Sequence, residues 1–281
     1  MSGVRGGARR VNGVTGVEGI LLSLLKAIAL AYGVSAVCAA LFAERFIFQP
    51  PAPSYRTLPG AVRLVAGDGV PLSAVYLPNP SARFTILYSH GNGEDLGNAL
   101  PFLQELREHG YAVFSYDYRG YGTSGGRPTE AGTYSDIEAA YAYLRGTLGI
   151  PSDRIVIHGY SVGCGPSIDL AVRRPVGGLI VESGFTSAFR AVTRIPLLPF
   201  DRYPNIGKMG RLTAPLLVIH GTLDRIIPLS HGRRLYDSAP GPKRFVPIAG
   251  GGHWDLRAVA GERYWEALRD FTALLAERPG L

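Results

Sequence analysis

The sequence predicts an α/β fold: a mostly parallel eight-stranded sheet flanked by helices, behind a hydrophobic N-terminal helix. Three observations predict it. Short apolar runs alternate with longer helical patterns from Phe84 to Glu277, the spacing of strand–helix–strand units. The two runs ahead of them, Ala61 to Ala66 and Leu72 to Leu77, are joined by Gly67-Asp68-Gly69, which makes them an antiparallel hairpin. Lastly, Gly159-Tyr160-Ser161-Val162-Gly163 sits between the β-branched run Arg154 to His158 and a helical stretch from Cys164 to Arg174, stopped by Pro175.

Taken in order, residues 1–18 are glycine- and arginine-rich without apolar periodicity and read as disordered. Residues 19–43 are almost wholly apolar and long enough to cross a hydrocarbon core of about 30 Å. Lys26 interrupts the run near enough to one end to snorkel to the headgroups. A membrane anchor is the leading reading. Its rivals are a cleaved signal peptide, for which Ala36 to Ala40 offer small residues, and an amphipathic or core helix. Arg5, Arg9 and Arg10 precede the span and Glu44 and Arg45 follow it. This charge bias leaves the N-terminus in the cytoplasm and sends the rest of the chain to the extracytoplasmic, in a bacterium periplasmic, side.

Residues 44–60 form a linker stiffened by Pro50, Pro51 and Pro53, and residues 61–281 form one domain. After the hairpin come strands at Phe84 to Ser89, Tyr111 to Tyr116, Arg154 to His158, Gly178 to Glu182, Pro215 to His220 and Lys243 to Ile248. Helices are expected over Glu94 to His109, Thr133 to Leu148, Cys164 to Arg174, Leu229 to Ser238 and Glu262 to Glu277. Residues 185–208 fit no strand–helix unit. Their prolines and bulky apolar side chains read either as a small cap over the carboxyl edge of the sheet or as a loop packing its own residues.

Composition narrows the function. The 281 residues are 46% hydrophobic, ample for a sizeable core. Net charge is +7 and the pI about 9.5, but the arginines are spread along the chain with no basic run carrying interleaved aromatics. The pattern is a mildly basic surface and argues against nucleic-acid binding. Cys38 and Cys164 lie in very different segments, which argues against a disulfide, and no Cys/His spacing resembles a metal or cofactor site.

The chemistry is carried by Ser161. Strand, sharp turn and helix form the context that exposes a serine hydroxyl at a sheet edge, with the new helix aiming its positive end at any oxyanion formed there. The pattern G-x-S-x-G occurs a second time, at Gly122 to Gly126, but Gly125, Gly126 and Pro128 leave no helix to follow, so Ser124 reads as loop. A serine nucleophile needs a base, and the base an orienting carboxylate. Asp224 follows the strand Leu216 to His220 and His253 follows the strand ending at Ile248 through Gly250-Gly251-Gly252, so both are expected at the edge that carries Ser161. Asp201, Asp237 and Asp255 are poorer acids by position. His90, His109, His158, His220 and His231 read as strand ends, helix surface or packing residues. For the oxyanion hole the residues point to the main-chain N–H of Val162 and that of Asn92, in His90-Gly91-Asn92-Gly93 after the third strand, with Gly93 close behind.

Ser-His-Gly-Asn-Gly-Glu-Asp (89–95), Asp-Tyr-Arg-Gly-Tyr-Gly-Thr-Ser-Gly-Gly (117–126), Gly-Tyr-Ser-Val-Gly (159–163), Pro-Asn-Ile-Gly-Lys (204–208), His-Gly-Thr-Leu-Asp (220–224) and Gly-Gly-Gly-His-Trp-Asp (250–255) together resemble the α/β-hydrolase superfamily. Within it they are most similar to the Bem46-like, serine-aminopeptidase-like group, which includes eukaryotic depalmitoylases of the α/β-hydrolase domain-containing 17 type. The resemblance runs from about Phe46 to the C-terminus. It implies an α/β-hydrolase fold, a Ser161–Asp224–His253 triad, an oxyanion hole at Val162 and Asn92, and structural support from Asp117 to Gly122. Two features depart from those depalmitoylases: a hydrophobic span replaces their cysteine-rich N-terminus, and Trp254 follows the histidine where a small or polar residue is usual.

The reading is a serine hydrolase that cleaves carboxylic esters or thioesters through an acyl-enzyme, without metal or cofactor. Its expected partners are a small-molecule or lipid ester and, through the N-terminal helix, a membrane. The alternatives are a serine-aminopeptidase-like amide hydrolase and a catalytically idle, membrane-tethered binding module. A haloalkane dehalogenase would need an aspartate where Ser161 stands.

Overall fold

The computed structural model describes residues 13–193 and 197–277. The chain divides into two units, residues 1–43 and 44–281. The disorder expected over 1–18 lies largely outside the described residues, but α1 runs over Gly13–Ile47 and so begins ahead of the expected start at Gly19. It also extends into the expected linker. The Phe48 N–H donates to the Glu44 carbonyl, which carries the helical pattern to the edge of Pro50-Pro51. Among the described residues this is one helix long and apolar enough to cross a bilayer, and its large apolar side chains, from Ile20 to Phe42, are exposed.

The second unit holds the sheet. Its strands are β1 Ala61–Val65, β2 Pro71–Leu77, β3 Thr85–Ser89, β4 Ala112–Tyr116, β5 Ile155–Tyr160, β6 Gly178–Glu182, β7 Leu216–Gly221 and β8 Lys243–Ile248, in the spatial order β1-β2-β4-β3-β5-β6-β7-β8. β1, β2 and β4 pair antiparallel, and every pairing from β4 to β8 is parallel. Side chains alternate between two cores. Leu87, Ile155 and Ile157 face one layer, whereas Ile86, Tyr88 and Val156 face the other, the period-2 pattern of a sheet covered on both sides. The strand order reverses around β3, and a sheet of this type opens a crevice beyond the carboxyl ends of the strands where that happens. There Ser89 pairs with Gly159, so the loops after β3 and β5 leave the sheet side by side.

The helices are α2 Leu96–Glu108, α3 Glu130–Ala142, α4 Cys164–Arg173, α5 Ala188–Thr193, α6 Asn205–Met209, α7 Leu229–Ser238, α8 Leu256–Ala260 and α9 Glu262–Ala276. α3 starts earlier than Thr133 because Thr129 caps it, its hydroxyl accepting from the Gly132 N–H, and it ends in a π turn over Tyr143–Thr147. Within residues 185–208, α5 and α6 replace a strand–helix unit. The Asp201 carboxylate accepts the Phe189 N–H near the start of α5. Tyr203 is buried edge-on against Phe48, Tyr134 and Phe185. The stretch is therefore pinned to the core at Tyr203, while Ile195 and Pro196 lie outside the described residues.

Candidate active site

Ser161 follows β5 directly. Its φ is 52°, in the left-handed region that non-glycine residues rarely enter. The turn closes so tightly that a Cβ on Gly159 would sit 2.6 Å from the Gly163 carbonyl oxygen, and one on Gly163 would strike the Ser89 carbonyl. Both glycines flanking the serine are thus required by backbone approach. One 3-10 turn, Ser161–Gly163, then feeds into α4.

β7 and β8 are neighbours, and the loops after them are bonded to each other. The Leu223 N–H donates to the Gly251 carbonyl and the Gly250 N–H to the Thr222 hydroxyl. This brings Asp224 and His253 to Ser161. His253 Nε2 lies 3.0 Å from Ser161 Oγ, and His253 Nδ1 lies 2.7 Å from Asp224 Oδ2. All three residues are buried. Asp224 Oδ1 accepts from the main-chain N–H groups of Ile226 at 2.9 Å and Ile227 at 2.8 Å.

Burial pushes the Asp224 carboxyl up, but the His253 hydrogen bond and charge, the Ile227 N–H and His220 hold it below the ordinary carboxylate value. An ionised carboxylate only accepts, so His253 Nδ1 carries the proton and donates. The Nε2 lone pair then faces the Ser161 hydroxyl, the tautomer a general base needs.

Asn92 is at the same edge, in the loop after β3. Its side chain is engaged elsewhere: Nδ2 donates to the Ile47 carbonyl at 2.7 Å, and Oδ1 accepts from the Gln49 N–H at 3.0 Å and the Tyr121 hydroxyl at 2.6 Å. The next loop supports it. Asp117 accepts from the Leu96 N–H and the Tyr55 hydroxyl, and Tyr118 donates its hydroxyl to the His90 carbonyl. His90 Nε2 lies 3.3 Å from Asp117 Oδ1, at ion-pair distance but without the alignment of a hydrogen bond. Ser124 is structural, accepting from the Ser73 N–H and donating to the Asp117 carbonyl.

Residues 80–196 match the family described as serine aminopeptidase, S33, a stretch that holds Asn92 and Ser161 but ends before Asp224 and His253. Human α/β-hydrolase domain-containing protein 17B is 40% identical over 198 residues, which cover 69% of this chain and 68% of that protein. The chain is an α/β hydrolase. The relative aho-3 of Caenorhabditis elegans is 41% identical over 197 residues, covering 69% of this hydrolase and 59% of its own length. The Pyrococcus furiosus esterase Pf2001 superposes with a TM-score of 0.69 at 19% identity, over 81% of this chain and 97% of that one, which is a likeness of fold. A Coxiella burnetii α-β serine hydrolase homologue gives a TM-score of 0.62 at 18% identity, over 77% and 99%. Together they make this chain a serine hydrolase with an eight-stranded α/β-hydrolase sheet.

Two features of the hydrolase's site were not legible in the sequence. Tyr160, one residue before Ser161, donates its hydroxyl to the His253 carbonyl at 2.9 Å, and its ring lies against the imidazole at 5.6 Å between centroids. A Cβ on Gly91 would come 2.8 Å from the same ring, so Tyr160 wedges between the loops that carry Asn92 and His253. The other is a buried array under the elbow, where Glu182 Oε2 accepts from His158 Nε2 at 2.9 Å and the Tyr264 hydroxyl at 2.7 Å. Only the aromatic at the second position of the elbow pattern signals the first, and nothing local signals the second. Three other histidines have partners of their own, and His220 Nε2 also lies 3.5 Å from Asp224 Oδ2. His220 Nε2 faces the Ile227 carbonyl, His231 Nδ1 faces Thr186, and His109 stacks on Trp265. Among the described residues no group of three or more His, Cys, Asp or Glu side chains is arranged to hold a metal ion.

The array gives a pH dependence. Burial raises the Glu182 carboxyl, but the His158 hydrogen bond and charge, with Arg257 and Tyr264, bring it below its ordinary value. A depressed folded pKa means that the stabilisation is present above the unfolded value, about 4.3, and is lost as pH falls through the folded one. Asp224 adds a term of the same sign. The urea midpoint is expected to fall as pH drops from about 5 to about 3, less steeply in Glu182→Gln than in the native chain. Equal slopes would show that Glu182 does not titrate differently on unfolding.

Proposed function

We propose that this hydrolase cleaves carboxylic esters or thioesters through an acyl-enzyme on Ser161. The observation that carries the reading is the continuous chain Asp224 Oδ2, His253 Nδ1, His253 Nε2 and Ser161 Oγ, with separations of 2.7 and 3.0 Å. Ser161 Oγ attacks the acyl carbonyl carbon as its proton passes to His253 Nε2. The tetrahedral intermediate collapses, the bond to the leaving oxygen or sulfur breaks, and His253 returns the proton to it. Water then attacks the acyl-enzyme with His253 again as base, and the acid leaves. The main-chain N–H groups of Val162 and Asn92 receive the oxyanion, a donor of this kind being worth about 3–4 kcal/mol in the transition state.

Because the Asn92 contribution is main-chain, Asn92→Ala is expected to slow turnover by about tenfold or less, through slackening of a loop whose side-chain bonds are lost. It should cost far less than Ser161→Ala. A comparable loss in steady-state assays would mean that the amide itself meets the substrate.

The function is tested on p-nitrophenyl esters of increasing acyl length beside the matching thioesters. Turnover of esters or thioesters supports the reading, and no turnover at any length removes it. Preference for aminoacyl-p-nitroanilides would favour amide hydrolysis, the activity in the matched family's description. Failure to label with a fluorophosphonate probe would favour an idle binding module.

The apolar residues 19–43 support an uncleaved anchor, with the catalytic unit on the extracytoplasmic side. Acyl groups of membrane lipids or of lipidated proteins are then the nearest substrates. In a bacterial host, protease added to spheroplasts should digest the unit. Protection until lysis would reverse the topology.

A further inference from the structure

Among the described residues after Ala43 eight large apolar side chains are exposed, and half of them, Leu223, Ile226, Trp254 and Val259, are gathered by the segments that carry the site. Leu223 and Ile226 stand on either side of Asp224, both more than half exposed, and Trp254, 68% exposed, follows His253 and meets its ring edge-on at 4.7 Å. Val259 is the nearest neighbour of Gly250, 3.9 Å from where a Cβ there would lie. These loops are bonded to one another, as described above, so the four side chains belong to one rim. Outside it, Phe46, Val65, Leu197 and Leu274 are exposed, each on a different segment of the chain. An apolar group left in water at this cost marks a surface that meets a partner.

The chain itself indicates which partner. It enters this unit at the Asn92 loop, where Asn92 is bonded to the Ile47 carbonyl and the Gln49 N–H. Phe46, 74% exposed, is beside that latch. The apolar run ends at Ala43, and four residues of chain span at most about 14 Å even when fully extended. At most about 14 Å of chain therefore separates the end of the apolar run from Ile47, the residue bonded to Asn92. The rim also has interfacial chemistry. Trp254 presents a large ring with an N–H, and the exposed Arg225 lies between Leu223 and Ile226 with a guanidinium for lipid phosphate.

We propose that the rim formed by Leu223, Ile226, Trp254 and Val259 docks on the surface of a phospholipid bilayer, the one that holds residues 19–43. This rests on the anchor reading given above. An acyl chain then passes from the headgroup region to Ser161 without crossing water, and the rim side chains lose their exposure to solvent in the same contact.

The test uses the full chain in phosphatidylcholine–phosphatidylglycerol vesicles. The chain has two tryptophans, so Trp265→Phe leaves Trp254 as the reporter. Its emission is expected to shift to the blue and to be quenched when the lipids carry bromine on the acyl chains near the headgroup. Adding Leu223→Asp and Val259→Asp should remove the shift and the quenching while fluorophosphonate labelling of Ser161 persists, which shows that the site is still folded. Unquenched Trp254 emission in a chain that labels normally would overturn the docking and leave the hydrolase reading standing. A blue shift that grows with protein concentration in detergent would overturn it in favour of a second copy of the chain. A vesicle-bound chain whose mass lacks residues 1–43 would overturn it together with the anchor. Loss of labelling in every form would instead fall on the hydrolase reading.

Discussion

Ser161→Ala is expected to abolish fluorophosphonate labelling and to lower kcat on a p-nitrophenyl ester by about a millionfold, leaving only what the oxyanion donors and binding contribute. The substitution removes one oxygen, which lies 3.0 Å from His253 Nε2. Alanine meets the same steric cost as serine at φ 52°, so backbone strain is nearly unchanged. Thermal unfolding should therefore shift little while activity disappears. Retained activity would place the nucleophile elsewhere, and a large fall in Tm would turn the loss into a folding effect.

Asp224→Asn is expected to lower kcat by about 10⁴-fold with a small change in KM. Oδ1 accepts two main-chain N–H groups, from Ile226 and Ile227, so the amide of the variant keeps its oxygen on that side. Its NH₂ must then face His253 Nδ1, where Oδ2 now accepts at 2.7 Å. An NH₂ donor there requires a bare Nδ1, which moves the proton to Nε2. The imidazole then presents N–H to the Ser161 hydroxyl and has no lone pair to take its proton. Stopped-flow acylation and steady-state kinetics on one ester would measure the loss. A drop below about tenfold would mean that the carboxylate orients nothing the reaction needs.

The elements of the site were unequally legible. The strand before Ser161 and the helix after it are local, so residues 154–174 alone predicted a sharp turn there, and the same local rule separated Ser161 from Ser124. Asp224 and His253 were legible for a different reason. Each follows an apolar strand, and parallel strands in one sheet end at one edge. Local sequence placed α7 and β8 at Leu229–Ser238 and Lys243–Ile248, and missed α8, whose Leu256–Ala260 turn is too short for a periodic signal. In the loop after β3 the sequence pointed to a main-chain role for Asn92. It held no sign that the Asn92 amide binds Ile47 and Gln49, because those partners lie more than forty positions earlier in the chain.

The sequence by itself determined the alternation of strand and helix and the sharp turn at Ser161, because these follow from backbone preference and from periods of 2 and 3.6 residues within short windows. Tertiary structure alone decided that Tyr160 joins the His253 loop to Gly91, and that His158, Glu182 and Tyr264 share one buried carboxylate oxygen. Those contacts bring together residues from different strands and helices, and their hydrogen bonds exist only once burial has excluded the water that would otherwise satisfy each group.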